Sequence, residues 1–427
     1  MIYIFLFIYT LFYFFIFIPL FCIASLWNAK MREGLRGRLT QCKKINEFAQ
    51  KYKNDTIIFF HSASVGEWEQ SIPIIKELKK NYPNIRILAS FFSPSGMRHA
   101  KKDDVDCAIY LPFDIFFTAL FFFKRIQPKL WIISKYDIWP GFLLAAHIQK
   151  VPVILSSAEL AKDSTRYKGI FAFFNRTFYS YIQYILPVSE DYRERFLHIF
   201  PYPERLTVVG DARYDQIISK AELIQQEPSI QIFTNPRPIT FIGGSLWPAD
   251  EKHLFPALIK LYKETPDLQL ILVPHELHES HISAIEQTFF ENGITTERYS
   301  DFSKKGTTDC NVAIINTIGM LAKLYKTTDI AYVGGAFSTG VHNVAEPSVF
   351  GNPVVFGPKH INSYEAIKIR ELQGGYSISN TEECYSIISK FILDEPFRKQ
   401  TGSIAQNFIA SNKGATQLIC KKIEEFL

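Results

Sequence analysis

The sequence predicts an α/β protein of two tandem parallel-sheet domains behind an apolar N-terminal segment, and three observations carry that expectation. The segment Met1–Trp27, "MIYIFLFIYTLFYFFIFIPLFCIASLW", holds no charged side chain. Beyond it, short β-rich apolar runs alternate with helical patterns, the order that builds βαβ units. That series then occurs a second time, after a polar break near Ser219 to Pro238.

The apolar segment is long enough to cross a bilayer as a helix, which takes roughly 20 residues. A signal peptide would start basic and carry a shorter apolar run. Here the basic residues follow the run (Lys30, Arg32, Arg36, Arg38), with Glu33 the one acid among them. By the positive-inside rule this places the rest of the chain in the cytoplasm. The expected reading is a membrane anchor over residues 1–28; a buried or monotopic segment broken at Pro19 is the alternative.

With 427 residues the chain exceeds one ordinary core. A net charge of +5 suits a phosphate-bearing partner or an anionic membrane surface and does not point to nucleic acid. The six cysteines are scattered without a CxxC pair, as expected of reduced thiols in a cytosolic compartment.

The strands expected in the first series are 56–60, 85–90, 107–112, 130–134, 151–157, 184–189 and 206–210. Those in the second are 239–245, 268–274, 312–316, 330–336 and 352–358. Two Rossmann-like halves facing a cleft follow, with domains at 29–225 and 226–408 and a C-terminal helix in 409–427 that is expected, by analogy with such folds, to cross back to the first domain.

Ligands collect at strand-to-helix turns of such folds. In "FFHSASVGEWEQSIPIIKEL" (59–78) an apolar strand meets a small-residue turn and then Glu67, just before a helical pattern (Ile72, Ile75, Leu78). From that turn alone Glu67 reads equally as a catalytic carboxylate or as a first-turn acid favoured by the helix dipole. In the second series, "FIGGSLWPADE" offers Gly243, Gly244 and Ser245 ahead of a helix start at Pro248, either as phosphate contacts or as a plain tight turn. "YVGGAFSTGVHNVAEPSVFGNPVVFGP" (332–358) crowds Gly334, Gly335 and Gly340 into one turn before His342, Asn343 and Glu346. With a helix starting near His342, Glu346 would lie one turn on and could accept both hydroxyls of a ribose. Gly319 marks a further strand end, where a base could lie on backbone. His275, His278 and His281 do not have the HExxH spacing and lack an evident fourth ligand, so no metal is expected. His275, at a strand end, is the one expected to touch ligand, and the other two to be exposed. Asp137, Arg166, Tyr167, Lys168, Asp211, Arg213 and Asp215 follow strands of the first series and imply a polar, cation-bearing site.

The motifs "HSASVGEWEQSIPIIKEL", "PFD" (112–114), "IWP" (138–140), "GDARYDQ" (210–216), "GGSLWPADE" and the 332–358 block together resemble the Kdo transferases of lipopolysaccharide synthesis. These are inverting GT-B glycosyltransferases of family 30, which move 3-deoxy-D-manno-octulosonic acid (Kdo) from CMP-Kdo to a lipid A precursor. The resemblance runs from the anchor to about Tyr376. It implies Glu67 as general base, Ser64, Asp137, Arg166 and Arg213 on the acceptor side, and Gly244, Ser245, His275, Gly319, Gly335, His342, Asn343 and Glu346 on the donor side. It also implies no cofactor or metal, CMP-Kdo and the lipid A precursor as substrates, and inner-membrane lipids as neighbours. The sequence departs from the family pattern at Lys135 and Asp137 (ETELWP in many members), Asn316, Met320 and Val341, positions that bear on the acceptor and on the number of Kdo residues added. Rival readings are a GT-B transferase for another nucleotide sugar, an epimerase of the same fold, and an inactive scaffold.

Overall fold

The computed structural model describes residues 2–100, 102–265 and 267–427; Met1, at the head of the expected anchor, lies outside the described residues. The chain divides into two compact units, Met1–Gln216 with Lys413–Leu427, and Ile217–Asn412.

The first unit is built on six parallel strands: β1 (Ile57–Ser62), β2 (Arg86–Phe91), β3 (Cys107–Tyr110), β4 (Leu130–Ser134), β5 (Val153–Ala158) and β6 (Tyr184–Pro187). Their order is β3-β2-β1-β4-β5-β6. β1 pairs with both β2 and β4, so the winding reverses between β1 and β4, the place where such sheets bind ligands. Nearly every strand residue is buried, because helices cover both faces of the sheet. The helix Val65–Asn81 shows why the local sequence folds as it does. Ser64 caps it with its hydroxyl toward the Glu67 amide, and Trp68, Ile72, Ile75 and Leu78 bury one face.

The second unit has seven parallel strands: β7 (Ile239–Leu246), β8 (Leu268–Pro274), β9 (Glu297–Arg298), β10 (Val312–Ile314), β11 (Ile330–Val333), β12 (Val354–Phe356) and β13 (Gly375–Ser377). The order β13-β12-β11-β7-β8-β10-β9 puts its switch point between β7 and β11.

Several expectations change. Residues 206–210 are not a strand: Leu206 makes one isolated bridge to Ile185, and Gly210, in the left-handed region at φ +87°, turns the chain away. The two- and three-residue strands β9 and β13 are too short to show a period in the sequence. The unit boundary falls at Gln216/Ile217, inside the helix Ala212–Gln226, rather than at 225/226. The terminal helix Ala415–Glu424, by contrast, lies in the first unit, to which the C-terminal helix was expected to cross back: Asp215 accepts hydrogen bonds from Gly414 N and Thr416 N (both 2.6 Å).

The apolar N-terminus is helical from Ile2 to Trp27, with a π-helical stretch at Tyr13–Phe17, and Pro19 sits just after that stretch without ending the helix. Phe7–Trp27 is long and apolar enough to cross a membrane, with a mean hydropathy of 2.3. One stripe of it is docked on the first unit. Tyr9 Oη donates to Asp114 Oδ2 at 2.7 Å, and Tyr13 and Phe21 pack edge-on against Phe113. Arg38, counted above with the cytoplasmic basic residues, is instead buried and structural. Its guanidinium donates to the carbonyls of Leu111, Gly34 and Phe92.

Asp114 is fully buried and also accepts from Gly141 N and Phe142 N at the start of the helix Pro140–Ile148. Burial pushes its carboxyl up to about 6. That folded value lies above the roughly 3.9 of an unfolded aspartate, so the stability it contributes is present below about pH 4 and lost as pH rises through about 6. Asp114→Ala leaves three donors unpaired and should cost about 2 kcal/mol, read as a lower unfolding midpoint in detergent.

Candidate active site

At the switch point of the first sheet, Glu67 stands in the first turn of the helix that follows β1 and is 6% exposed. Its Oε2 accepts from Ala63 N at 2.7 Å, so one oxygen is fixed against the turn. Burial pushes its carboxyl above the usual range; the Ala63 amide opposes this, Asp137 adds to it, and His61 and Lys135 act against it. The site therefore holds a carboxylate with raised proton affinity, which is what a general base requires.

Asp137, beyond the end of β4, is joined to β1 through His61. The His61 ring is wholly buried, with Nε2 at 2.8 Å from Asp137 Oδ2 and Nδ1 at 2.8 Å from Ser90 Oγ. Trp139 Nε1 donates to the same Asp137 oxygen at 2.8 Å, and its ring stacks on Phe92. Although burial works against the charge, the bonds from His61 and Trp139 hold Asp137 below its ordinary value. Lys135, in the left-handed region at φ +64°, pairs with Glu159 at 3.4 Å. Ser64 is the helix cap, and Arg166 lies over the Tyr136 ring at 5.5 Å. Arg213 is bonded to the buried Asp211 (2.6 Å), which also takes Gln70 Nε2 at 3.2 Å. The expected acceptor-side residues thus gather around β1, β4 and β5. His61 and Glu159 were not expected among them, Trp139 and Lys135 entered only through the "IWP" motif and as a departure from the family pattern, and for His61 the signal was a histidine inside the apolar run before the "SVGE" turn.

In the second unit, the end of β7 and the turn after β11 meet: Gly334 N donates to Gly244 O at 2.9 Å. Asp250 holds them together from a fully buried position. It accepts from Gly335 N (2.8 Å), Trp247 N (3.1 Å) and Tyr332 Oη (3.0 Å). A Cβ on Gly334 would lie 2.2 Å from Ser245 O, so the turn tolerates only glycine there. The glycine at 244 has a different reason from the one expected: a Cβ there would meet Tyr325 Oη at 2.2 Å, a packing constraint rather than an opening for ligand. Ser245 adopts a left-handed φ of +53°, a strained residue at a strand end.

His275 stacks on two further rings, 4.4 Å from Trp247 and 4.6 Å from His342. Trp247 Nε1 donates to His342 Nε2 at 2.8 Å, so His342 carries its proton on Nδ1, where it can donate to an anion. Burial, then His275, lowers its pKa and favours this neutral form. Trp247 and Asp250 were not expected as site residues. The helix expected at His342 begins only at Ala345 and spans Ala345–Ser348, because Asn343 Oδ1 takes the Ala345 amide in a turn. Glu346 therefore does not share a helical face with His342, and it pairs with Lys220 at 3.3 Å. Gly319 is in the left-handed region at φ +91°, beside the exposed Ile318. His278 is exposed as expected, but His281 is largely buried against Glu251 at 2.7 Å.

Residues 33–216 match the family described as 3-deoxy-D-manno-octulosonic-acid transferase (kdotransferase). The match falls within the first unit. Over 376 residues it is 26% identical to the 3-deoxy-D-manno-octulosonic acid transferase of Haemophilus influenzae, covering 87% of each chain. The transferase of the same description from Aquifex aeolicus is 26% identical over 339 residues, 78% of this chain and 86% of that one. Among solved structures, UDP-GlcNAc 2-epimerase from Neisseria meningitidis bound to UDP-GlcNAc superposes with a TM-score of 0.60 at 15% identity, over 87% of this chain and all of that one. That likeness concerns the fold, which is GT-B. The segment that matches the family ends at the boundary of the first unit and includes Glu67, Asp137 and His61.

Proposed function

We propose that the protein is an inverting glycosyltransferase that moves Kdo from CMP-Kdo to the lipid A precursor lipid IVA, without metal or cofactor. It works on the cytoplasmic side of a bacterial inner membrane, held there by the apolar N-terminal helix. The observation that carries the reading is a buried carboxylate with raised proton affinity, Glu67, at the switch point of a Kdo-transferase domain.

A sugar hydroxyl is a weak nucleophile until its proton is taken as the new bond forms. With Oε2 held by the Ala63 amide, Oε1 of Glu67 is the oxygen left to receive that proton. The hydroxyl oxygen attacks the anomeric carbon of Kdo from the side opposite the phosphate, and the bond to CMP breaks with its electron pair going to the phosphate oxygen. On the donor side, His342 Nδ1–H supplies a hydrogen bond to that growing charge. In this reading Glu346, which pairs with Lys220, accepts from ribose hydroxyls.

The test is transfer from CMP-Kdo to tetraacylated lipid A precursor in detergent micelles, with product read by mass spectrometry. Product supports the reading; its absence, with turnover of another nucleotide sugar, overturns it. In the same assay Asp137→Asn should move the acid limb of the pH profile to lower pH. It removes the negative neighbour that raises Glu67, leaving Lys135 and His61 facing it. An unmoved limb would show that Asp137 does not tune the base.

A further inference from the structure

Two helices of the first unit carry aromatic side chains into solvent at the same edge of the sheet. Helices that follow parallel strands begin at the carboxyl edge, where Glu67 and Asp137 also stand. The helix Phe116–Ile126 starts there after β3 and buries Ala119, Phe122, Phe123 and Ile126. Its opposite face exposes Phe117 (73%) and Phe121 (67%), one turn apart. The helix Gly169–Tyr179 starts at the same edge after β5 and exposes Phe173 (50%). In both helices an exposed cation follows the outer phenylalanine by one turn, Lys124 after Phe121 and Arg176 after Phe173. Aromatic rings ahead of snorkelling cations are the arrangement by which a surface enters the headgroup zone of an anionic bilayer.

The surface continues into the apolar N-terminal helix. That helix docks at Asp114, two residues before the Phe116 helix begins, while Phe12, Phe15 and Leu20 on its other sides stay exposed. The helix is therefore no free stalk with the catalytic unit hanging from it.

We propose that the carboxyl-edge turns of the Phe116 and Gly169 helices form a second membrane contact, seating the first unit on an anionic phospholipid surface beside the docked N-terminal helix. The proposal rests on the membrane location given above and names the surface that faces the lipid. It explains why Tyr136 (42% exposed) and Arg166, at the same edge, would meet an acceptor whose acyl chains stay in the bilayer.

The test uses the full chain in vesicles of phosphatidylglycerol and phosphatidylethanolamine with brominated acyl chains. Bimane is attached to single cysteines at Phe117→Cys, Phe173→Cys or Ile148→Cys, with Cys22, Cys42 and Cys310 changed to serine. Ile148 closes the helix Pro140–Ile148 at the opposite edge and is the control. The expected result is a roughly twofold loss of emission at 117 and 173, with none at 148. Quenching at none of the three, or equally at all three, overturns the proposal. Lys124→Glu with Arg176→Glu should weaken the quenching at 117 and 173, and unchanged quenching overturns the choice of anionic lipid. The readout does not depend on turnover, so it stands or falls separately from the Kdo assignment.

Discussion

Glu67→Gln should lower Kdo transfer by about 10²–10⁴-fold, the usual range for loss of a general base, while CMP-Kdo binding is kept. Glutamine is the informative replacement because Glu67 has two tasks. Its Oε2 accepts the Ala63 amide, and an amide oxygen can do the same. Glu67→Gln therefore keeps the turn and removes only the proton acceptor. Glu67→Ala also removes the bond to the turn and should cost about 1 kcal/mol of stability in addition. Equal unfolding midpoints for wild type and Glu67→Gln, with unequal rates, separate chemistry from folding. The pH profile gives a second reading of the same residue. The base acts ionised, and burial has raised its pKa, so kcat/KM climbs with pH through a value above the ordinary glutamate range. A fully active Glu67→Gln enzyme would remove the residue from its role and leave the fold and family untouched.

Asp250→Ala should abolish donor binding and lower stability by about 3–5 kcal/mol, the second large effect. Three donors converge on this carboxylate from three places: the Tyr332 hydroxyl on β11, the Gly335 amide in the turn after it, and the Trp247 amide after β7. All three lose their partner in the alanine variant, inside a site where water has no access to Asp250. The Gly334–Gly335 turn then has no tie to the Pro248 helix, and Trp247 no longer holds the His342 tautomer. Calorimetric titration of CMP-Kdo and thermal unfolding measure the two consequences. A stable variant that still binds CMP-Kdo would show that the β7 and β11 turns are held by their own backbone bonds.

The sequence made the alternating elements legible because they rest on local periods. Eleven of the expected runs became strands, among them all six of the first sheet, whose apolar stretches are bounded by turn residues. The short strands β9 and β13 escaped because two or three residues carry no period. The helix expected at His342 failed for a local reason too: Asn343 prefers to bond the backbone two residues on, which delays the helix to Ala345. Glu67 was legible as a carboxylate in a strand-to-helix turn, and the role of general base proposed for it came from the resemblance of several motifs taken together.

By itself, the sequence determined two βα series, an apolar N-terminal helix and the placing of Glu67 after β1. Each follows from residues within a few positions of one another. Tertiary structure alone decided the partners. His61 meets Asp137 across 76 positions, Trp247 meets His342 across 95, and Tyr9 meets Asp114 across 105. Those meetings depend on strand order, β1 beside β4 and β7 beside β11. Strand order is set by how whole faces bury, and no short stretch of residues encodes it.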